Sequence, residues 1–293
     1  MPVTRTVLAE YLRARRGSLT PEDVGYPRDA NRRVQGLRRE EVAQLAGISL
    51  EYYVRLEQGR DHQISEQVLS SLSRALRLDE NGRTYFYRLA LPSPRSAVGS
   101  SQQRRVSETV LQLLEQWSGT PAYLFDRNQD IIVANDLAAA LSPGYVVPGN
   151  NLALMLFDAD GAMRASTHWR ATARASVAAL RFSGDPDDPR LQEIVGTLSV
   201  RDQEFRRMWA SHEVHPLVGG VSSNYVEGFG PIDLRWQILD VPDGNYMNVR
   251  LADAGSHAAA ALRHLAAELR SGARAVPVQS LFGVDHPRQA AAS

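Results

Sequence analysis

Leu50, Glu51 and Arg55 fall within six consecutive positions and together carry groups that can read a DNA base pair. An arginine fork matches guanine O6 and N7, a carboxylate accepts from cytosine N4, and an aliphatic tip packs on the thymine methyl. All three lie in "AGISLEYYVRLEQGR", Ala46–Arg60. At helical spacing Glu51, Val54 and Arg55 share one side of a short helix, and Tyr53 and Leu56 take the other. The competing role for Glu51 and Arg55 is an exposed i, i+4 ion pair that reads nothing.

Such side chains work only if their helix is held firmly against a bundle. Gly47 suits the C-terminal stop of a preceding helix, and Ser49 suits the N-cap of the next. Two short helices joined this tightly predict a helix-turn-helix, whose second helix enters the major groove with its N-terminal residues on base edges. Tyr53 and Leu56 are then its anchors. Around it the sequence predicts an all-α, five-helix domain over residues 1–92. Leu8 and Leu12 mark the first helix, and Val42, Leu45 and Ala46 the buried face of the second. "ISEQVLSSLSRALRL" behind Ser65 gives the fourth and "LDENGRTYFYRLAL" behind Asp79 the fifth. "LTPEDVG" adds a helical turn, with Thr20 as its cap and Pro21 at the first position.

DNA also requires phosphate contacts, and the charge distribution suits them. The formal net charge is zero, yet residues 1–95 carry 16 arginines against 12 acids, and residues 106–293 carry 15 against 21. Any polyanion therefore belongs to the front of the chain. All the basic side chains apart from histidine are arginine, which suits phosphate and guanine better than lysine does. Arg28, Arg32, Arg33, Arg38 and Arg39 crowd the approach to the second helix. Its start gives up a capping serine for cations, a choice that makes sense with phosphates lying against it. The absence of cysteine excludes disulfides, thiolate metal sites and a cysteine nucleophile. No apolar run approaches the roughly 18 residues of a membrane helix, so a cytoplasmic protein without membrane contact is expected.

"GLRREEVAQLAGIS" and "YYVRLEQGR" resemble the repressor-type (XRE) helix-turn-helix family, and more narrowly a branch with an arginine-rich stretch ahead of "GLRREEVA". The resemblance spans about residues 7–90. It implies that Arg39, Leu50, Glu51, Tyr52 and Arg55 face DNA, with Glu57 and Gly59 closing the recognition helix. Ser49, Arg38 and Arg60 complete the expected DNA-facing set. Arg38 departs from the family pattern, which has a capping threonine or serine there.

Residues 93–106, rich in Pro, Ser and Gly, read as a linker. Beyond them a second, α+β domain is expected over 107–270, followed by a loose tail at 271–293. Ser107 caps a helix with Val110 and Leu114 on its apolar stripe. Ala122–Phe125 and Ile131–Ala134 flank the turn-like "DRNQD", and Asn135 caps the helix that follows. A hairpin feeding a capped helix looks like the opening of a PAS-type sensor. Late strands are predicted in "PIDLRWQILDV", where Ile232, Leu234, Trp236 and Ile238 alternate with polar residues, and in "YMNVRLAD". Ser256 opens the last helix.

"TPAYLFDRNQDIIVAN", "NLALMLF", "DPDDPRLQEIVGTLSVRDQEFRRMWASHEV" and "DVPDG" occur in an order similar to the MmyB-like ligand-binding domain. That resemblance implies a PAS-like domain with extra helices around an apolar pocket, and a fatty-acid-like ligand. Candidate lining residues are Phe125, Ile132, Phe157, Trp169, Leu180, Phe205, Trp209 and Trp236, each equally able to be plain core. Arg206 and His212 are candidates for a carboxylate head group.

These readings converge on a ligand-responsive transcription regulator with double-stranded operator DNA, a small apolar ligand and a second copy of itself as partners. The alternatives are a constitutive DNA-binding protein whose back domain only dimerises, and a haem-type sensor. No enzyme is expected. "HEVH" lacks the H-E-x-x-H spacing of zinc proteases, and no phosphate loop, nucleophile elbow or dinucleotide fingerprint occurs. No metal or cofactor is implied.

Overall fold

The computed structural model describes residues 3–27, 32, 34–60, 64–91, 106–159, 161–164 and 167–273. The expected linker and tail lie almost wholly outside them. In the front of the chain run α1 (Val3–Ser18), α2 (Arg39–Ala46), α3 (Leu50–Glu57), α4 (Glu66–Ala75) and α5 (Glu80–Ala90). Then come α6 (Glu108–Gln116), β1 (Ala122–Phe125), β2 (Ile131–Ala134), α7 (Asp136–Leu141), α8 (Leu152–Phe157) and α9 (Gly161–Arg164). α10 (Thr167–Ser183), α11 (Pro189–Arg201) and α12 (Gln203–Ala210) precede β3 (Gly219–Val226), β4 (Gly230–Val241), β5 (Asn245–Leu251) and α13 (His257–Arg270).

The chain forms two compact units, and neither is continuous in sequence. One comprises residues 1–102 and 156–217, the other 103–155 and 218–293. In the first unit the five front helices bury Leu8, Tyr11, Leu12, Val42, Tyr53, Leu56, Leu69, Leu72, Tyr85 and Phe86 in one core, and Phe182 and Val214 pack against it. Local signals set the helix starts: Ser49, Ser65 and Asp79 each accept a hydrogen bond from a first-turn amide. "LTPEDVG" makes only a 3-10 turn, Glu22–Val24. Leu45, expected on the buried face of α2, is instead 38% exposed, and Ala43 takes its place.

In the second unit five antiparallel strands are ordered β2-β1-β5-β4-β3, the α+β, PAS-like arrangement expected. β4 pairs with β5 from Arg235 opposite Leu251 to Val241 opposite Asn245. Ile232 and Leu234 turn toward α7 and α13, where they join Leu137, Leu141, Leu262 and Leu265. α6 covers the other face through Val110 and Leu114 over Leu124, Ile132 and Met247. β3, whose glycine-rich sequence "GGVSSNYV" carries no strong strand signal, is fixed by its pairing with β4.

One side chain organises the entry to this unit. Asn135 accepts from the Ala138 and Ala122 amides, at 2.9 and 3.2 Å, and donates to the Trp117 and Thr120 carbonyls at 3.0 and 2.8 Å. Asn135→Asp keeps the acceptor and loses both donations. It is expected to destabilise the fold by about 1–3 kcal/mol, read from denaturant midpoints; an unchanged midpoint would assign the donations no net value.

Candidate functional site

The recognition helix starts where Ser49 accepts from the Tyr52 amide at 3.1 Å. Gly47 at φ 66° ends α2 and turns the chain into it; its left-handed backbone strains any residue with a Cβ. Tyr53 and Leu56 are buried, and Leu50, Glu51 and Arg55 are exposed. Arg55 lies 3.9 Å from the Glu51 carboxylate, and its guanidinium sits 5.5 Å from the centre of the half-buried Tyr52 ring. The base-reading candidates thus share an open side of α3, in a loose ion pair that costs little to open. Arg60 is exposed just past the helix.

The rear of α3 is fixed by Glu57. Its side chain is 1% exposed and accepts from Arg16 of α1 and from Arg39 of α2, both at 2.6 Å. Burial pushes this carboxyl toward its neutral form, but the two guanidinium hydrogen bonds win and hold it below the ordinary carboxylate range. Arg16 also donates to the Leu37 carbonyl at 2.8 Å, and the Leu37 amide returns a bond to the Arg16 carbonyl at 3.1 Å. This close pass depends on Gly36, where a Cβ would sit 2.6 Å from the Gly17 Cα. Three helices therefore meet on one carboxylate.

The expected phosphate cluster divides. Arg38 is exposed at the start of α2, and Glu41 accepts from its backbone amide at 2.6 Å, one half of a capping box whose other half a guanidinium, having no acceptor, does not supply. Arg39 is half exposed, although one N–H is committed to Glu57. Arg32 has a side chain only 10% exposed, with two bonds to Glu41 at 2.7 Å and another to the Gly36 carbonyl at 2.6 Å. Its observed bonds are structural. Arg28 and Arg33 lie outside the described residues.

The pocket candidates also divide. In the first unit Phe157 meets Trp169 and Phe205 edge-on, with ring centres 5.6 and 5.3 Å apart, and Phe205 stacks on Trp209 at 5.7 Å. The Trp169 indole donates to the Leu156 carbonyl at 2.9 Å, and Leu180 is buried. In the second unit Phe125 stacks on Tyr246 at 5.5 Å, Ile132 belongs to the core beneath α6, and half-buried Trp236 covers Gly220. Arg206 is exposed and donates to the Ser199 carbonyl at 2.7 Å, closing the end of α11. His212 has left the helix in a left-handed conformation, φ 53°. Burial first, then Arg181 and Arg13, push its pKa down to about 4, so it is a neutral ring at pH 7 rather than a cation for a head group.

Residues 7–86 match the helix-turn-helix domain family, and residues 106–265 match the MmyB-like transcription regulator ligand binding domain. The chain belongs to the MmyB-like transcription regulator ligand-binding family. No curated protein matches it. Together the two domains make this MmyB-like chain a DNA-binding transcription regulator. Among the described residues no helix is long and apolar enough to cross a membrane, and no cluster of His, Asp and Glu could hold a metal ion.

Sequence reasoning missed the partly buried Arg16 and the buried Arg181 and Arg250 of this regulator. A signal existed for Arg181, which follows Ala173 and Val177 at i, i+4 steps on a buried helix face, where a charge must find partners.

The Glu57 clamp has a pH signature. A carboxyl whose folded pKa lies below its unfolded value contributes stability above the unfolded value and loses it as pH falls through the folded one. Stability should therefore hold from pH 7 to about 5 and decline below that, near the carboxylate range. Glu57→Gln should flatten part of this acid limb and cost about 3–5 kcal/mol at pH 7. Denaturant melts across pH check both; an identical acid limb in the variant would remove Glu57 from the account.

Proposed function

We propose that this chain binds operator DNA sequence-specifically as a homodimer in the cytoplasm, and that its C-terminal part senses a small apolar, fatty-acid-like molecule. The open side of α3, carrying Leu50, Glu51 and Arg55 in front of the Glu57 clamp, is the observation behind the DNA half. Arg55 takes a guanine edge, Glu51 a cytosine amine and Leu50 a thymine methyl. Ser49, Tyr52, Arg38, Arg39 and Arg60 flank them toward the backbone, with Arg28 and Arg33 as further phosphate partners. The ligand half is supported by the family match and by the aromatic set Phe157, Trp169, Phe205 and Trp209, which offers apolar surface of the right chemistry.

Two copies would place two α3 helices on half-sites about 34–36 Å apart or a multiple of that. The sheet supports a two-fold partner. β3 is an edge strand with no charged residue and no proline, the usual devices that keep edges single. Val218, Val221 and Tyr225 are exposed along it. Antiparallel pairing of β3 with its own copy satisfies both edges at once.

Duplexes selected from a random library supply the DNA test. Arg55→Ala should cost about 1–3 kcal/mol at one base position and relax preference there. Arg38→Ala should weaken all duplexes alike and lower the salt slope by about 1. Equal loss of preference in both variants would refute this division. Val221→Lys should give monomers by light scattering where the unaltered chain is dimeric; dimers that survive it would place the two-fold contact elsewhere.

A further inference from the structure

Residues 167–217 fall within the ligand-binding family match, yet they share a compact unit and a core with the helix-turn-helix bundle. Arg181, near the end of α10, is only 4% exposed. It donates to the Trp209 carbonyl at 2.5 Å, and its guanidinium lies 3.8 Å from the centre of the Trp209 ring. The buried Tyr85 phenol of α5 and the Glu10 carboxylate of α1 feel its charge. Arg88 of α5 donates back to the Arg181 and Gly184 carbonyls, both at 3.3 Å. Asp187, in the loop after α10, accepts from the Val3 amide at 2.8 Å and from the Thr4 amide and hydroxyl. A carboxylate from the sensor region thus caps the first helix of the DNA-binding bundle.

We infer that Arg181 is a positioning residue for DNA reading, coupling the packing of the Phe157–Trp169–Phe205–Trp209 cluster to α1 and α5, and through them to α3. The contacts run without a break. Trp209 covers Arg181, Arg88 of α5 donates to the Arg181 carbonyl and lies 5.3 Å from the centre of the Tyr85 ring, and Tyr85 meets Tyr11 edge-on at 5.1 Å. Tyr11 shares α1 with Arg16, whose partner Glu57 ends the recognition helix. Close-packed rings cannot admit a ligand without one of them moving. If Trp209 moves, Arg181 loses a ring face and a carbonyl together, and a buried guanidinium cannot be left unpaired. α10 must then shift against α5, which is the kind of two-arrangement interface that carries coupling. The inference rests on the proposed sensor reading for what enters the cluster. The mechanical link is testable without any ligand.

The test uses the full-length chain and amide hydrogen exchange followed segment by segment. Trp209→Leu and Arg181→Met are each expected to speed exchange at least about 5-fold in residues 3–18, 50–57 and 80–90, while the sheet segments 219–251 stay unchanged. The double variant should exceed neither single by much, because both break one link. DNA affinity for a selected duplex should fall several-fold with an unchanged salt slope, since no phosphate contact is removed. A merely structural Arg181 would speed exchange everywhere, the sheet included, and give multiplicative effects in the double variant; that outcome overturns the inference. Unaltered exchange at 50–57 in Trp209→Leu also overturns it. Should Arg181→Met fail to fold, Arg181→Lys and Trp209→Leu carry the same comparison. Absence of DNA binding by the unaltered chain would sink the regulator reading and leave the mechanical link standing, because the exchange result does not depend on DNA.

Discussion

One buried carboxylate decides how the open side of α3 is held. Glu57 draws Arg16 and Arg39 onto the end of the recognition helix, joining α1, α2 and α3 at a single point. An unpaired charge there would cost several kcal/mol, so the three helices are held together by the penalty for separating them as much as by the attraction. Specificity in angle follows. Apolar contacts such as Tyr53 and Leu56 tolerate sliding, but a carboxylate accepting two directed bonds does not. The open side of α3 can therefore be polar and loosely paired without losing its aim.

The same economy explains the arginine-rich approach to α2. Arg32 and Glu41 satisfy each other, and Glu41 also takes the Arg38 amide. Cations crowd a helix start where the macrodipole opposes them, and the acids of the first turn offset the conflict. Among the described residues of the cluster, the Arg38 side chain and half of Arg39 face outward, whereas Arg32 is turned inward onto Glu41.

Features encoded within four residues were legible in the sequence. Ser49, Ser65, Asp79, Ser107, Asn135 and Ser256 all cap the helices expected of them, and the alternation through Ile232 and Leu234 marks β4. The resemblances hold at the level of a helix-turn-helix domain and an MmyB-like ligand-binding domain, because motif order survives where single motifs are weak. Features that depend on distant partners were not legible. β3 is a strand because β4 is beside it, and Leu45 is exposed because Ala43 meets the neighbouring helix. Among the candidate pocket residues, hydrophobicity could nominate Phe125 and Phe205 equally. Only tertiary structure puts them in different compact units. His212 shows the limit most plainly: its type suggested a cation, and burial, helped by two neighbouring arginines, makes it neutral.

The discontinuity of the two units bears on how such proteins can be recombined. The chain reads as two modules in a row, an arrangement that invites exchange of the rear module for another sensor. Yet the first helix of the front module takes its cap from Asp187, and Arg88 of α5 takes its acceptors from the Arg181 and Gly184 carbonyls. A transplanted rear module that lacked these residues would leave a bundle with an uncapped end and an unfilled socket. A change on the face of α5 that meets α10 must then be answered in α10, so exchange of one module calls for exchange of its seam as well.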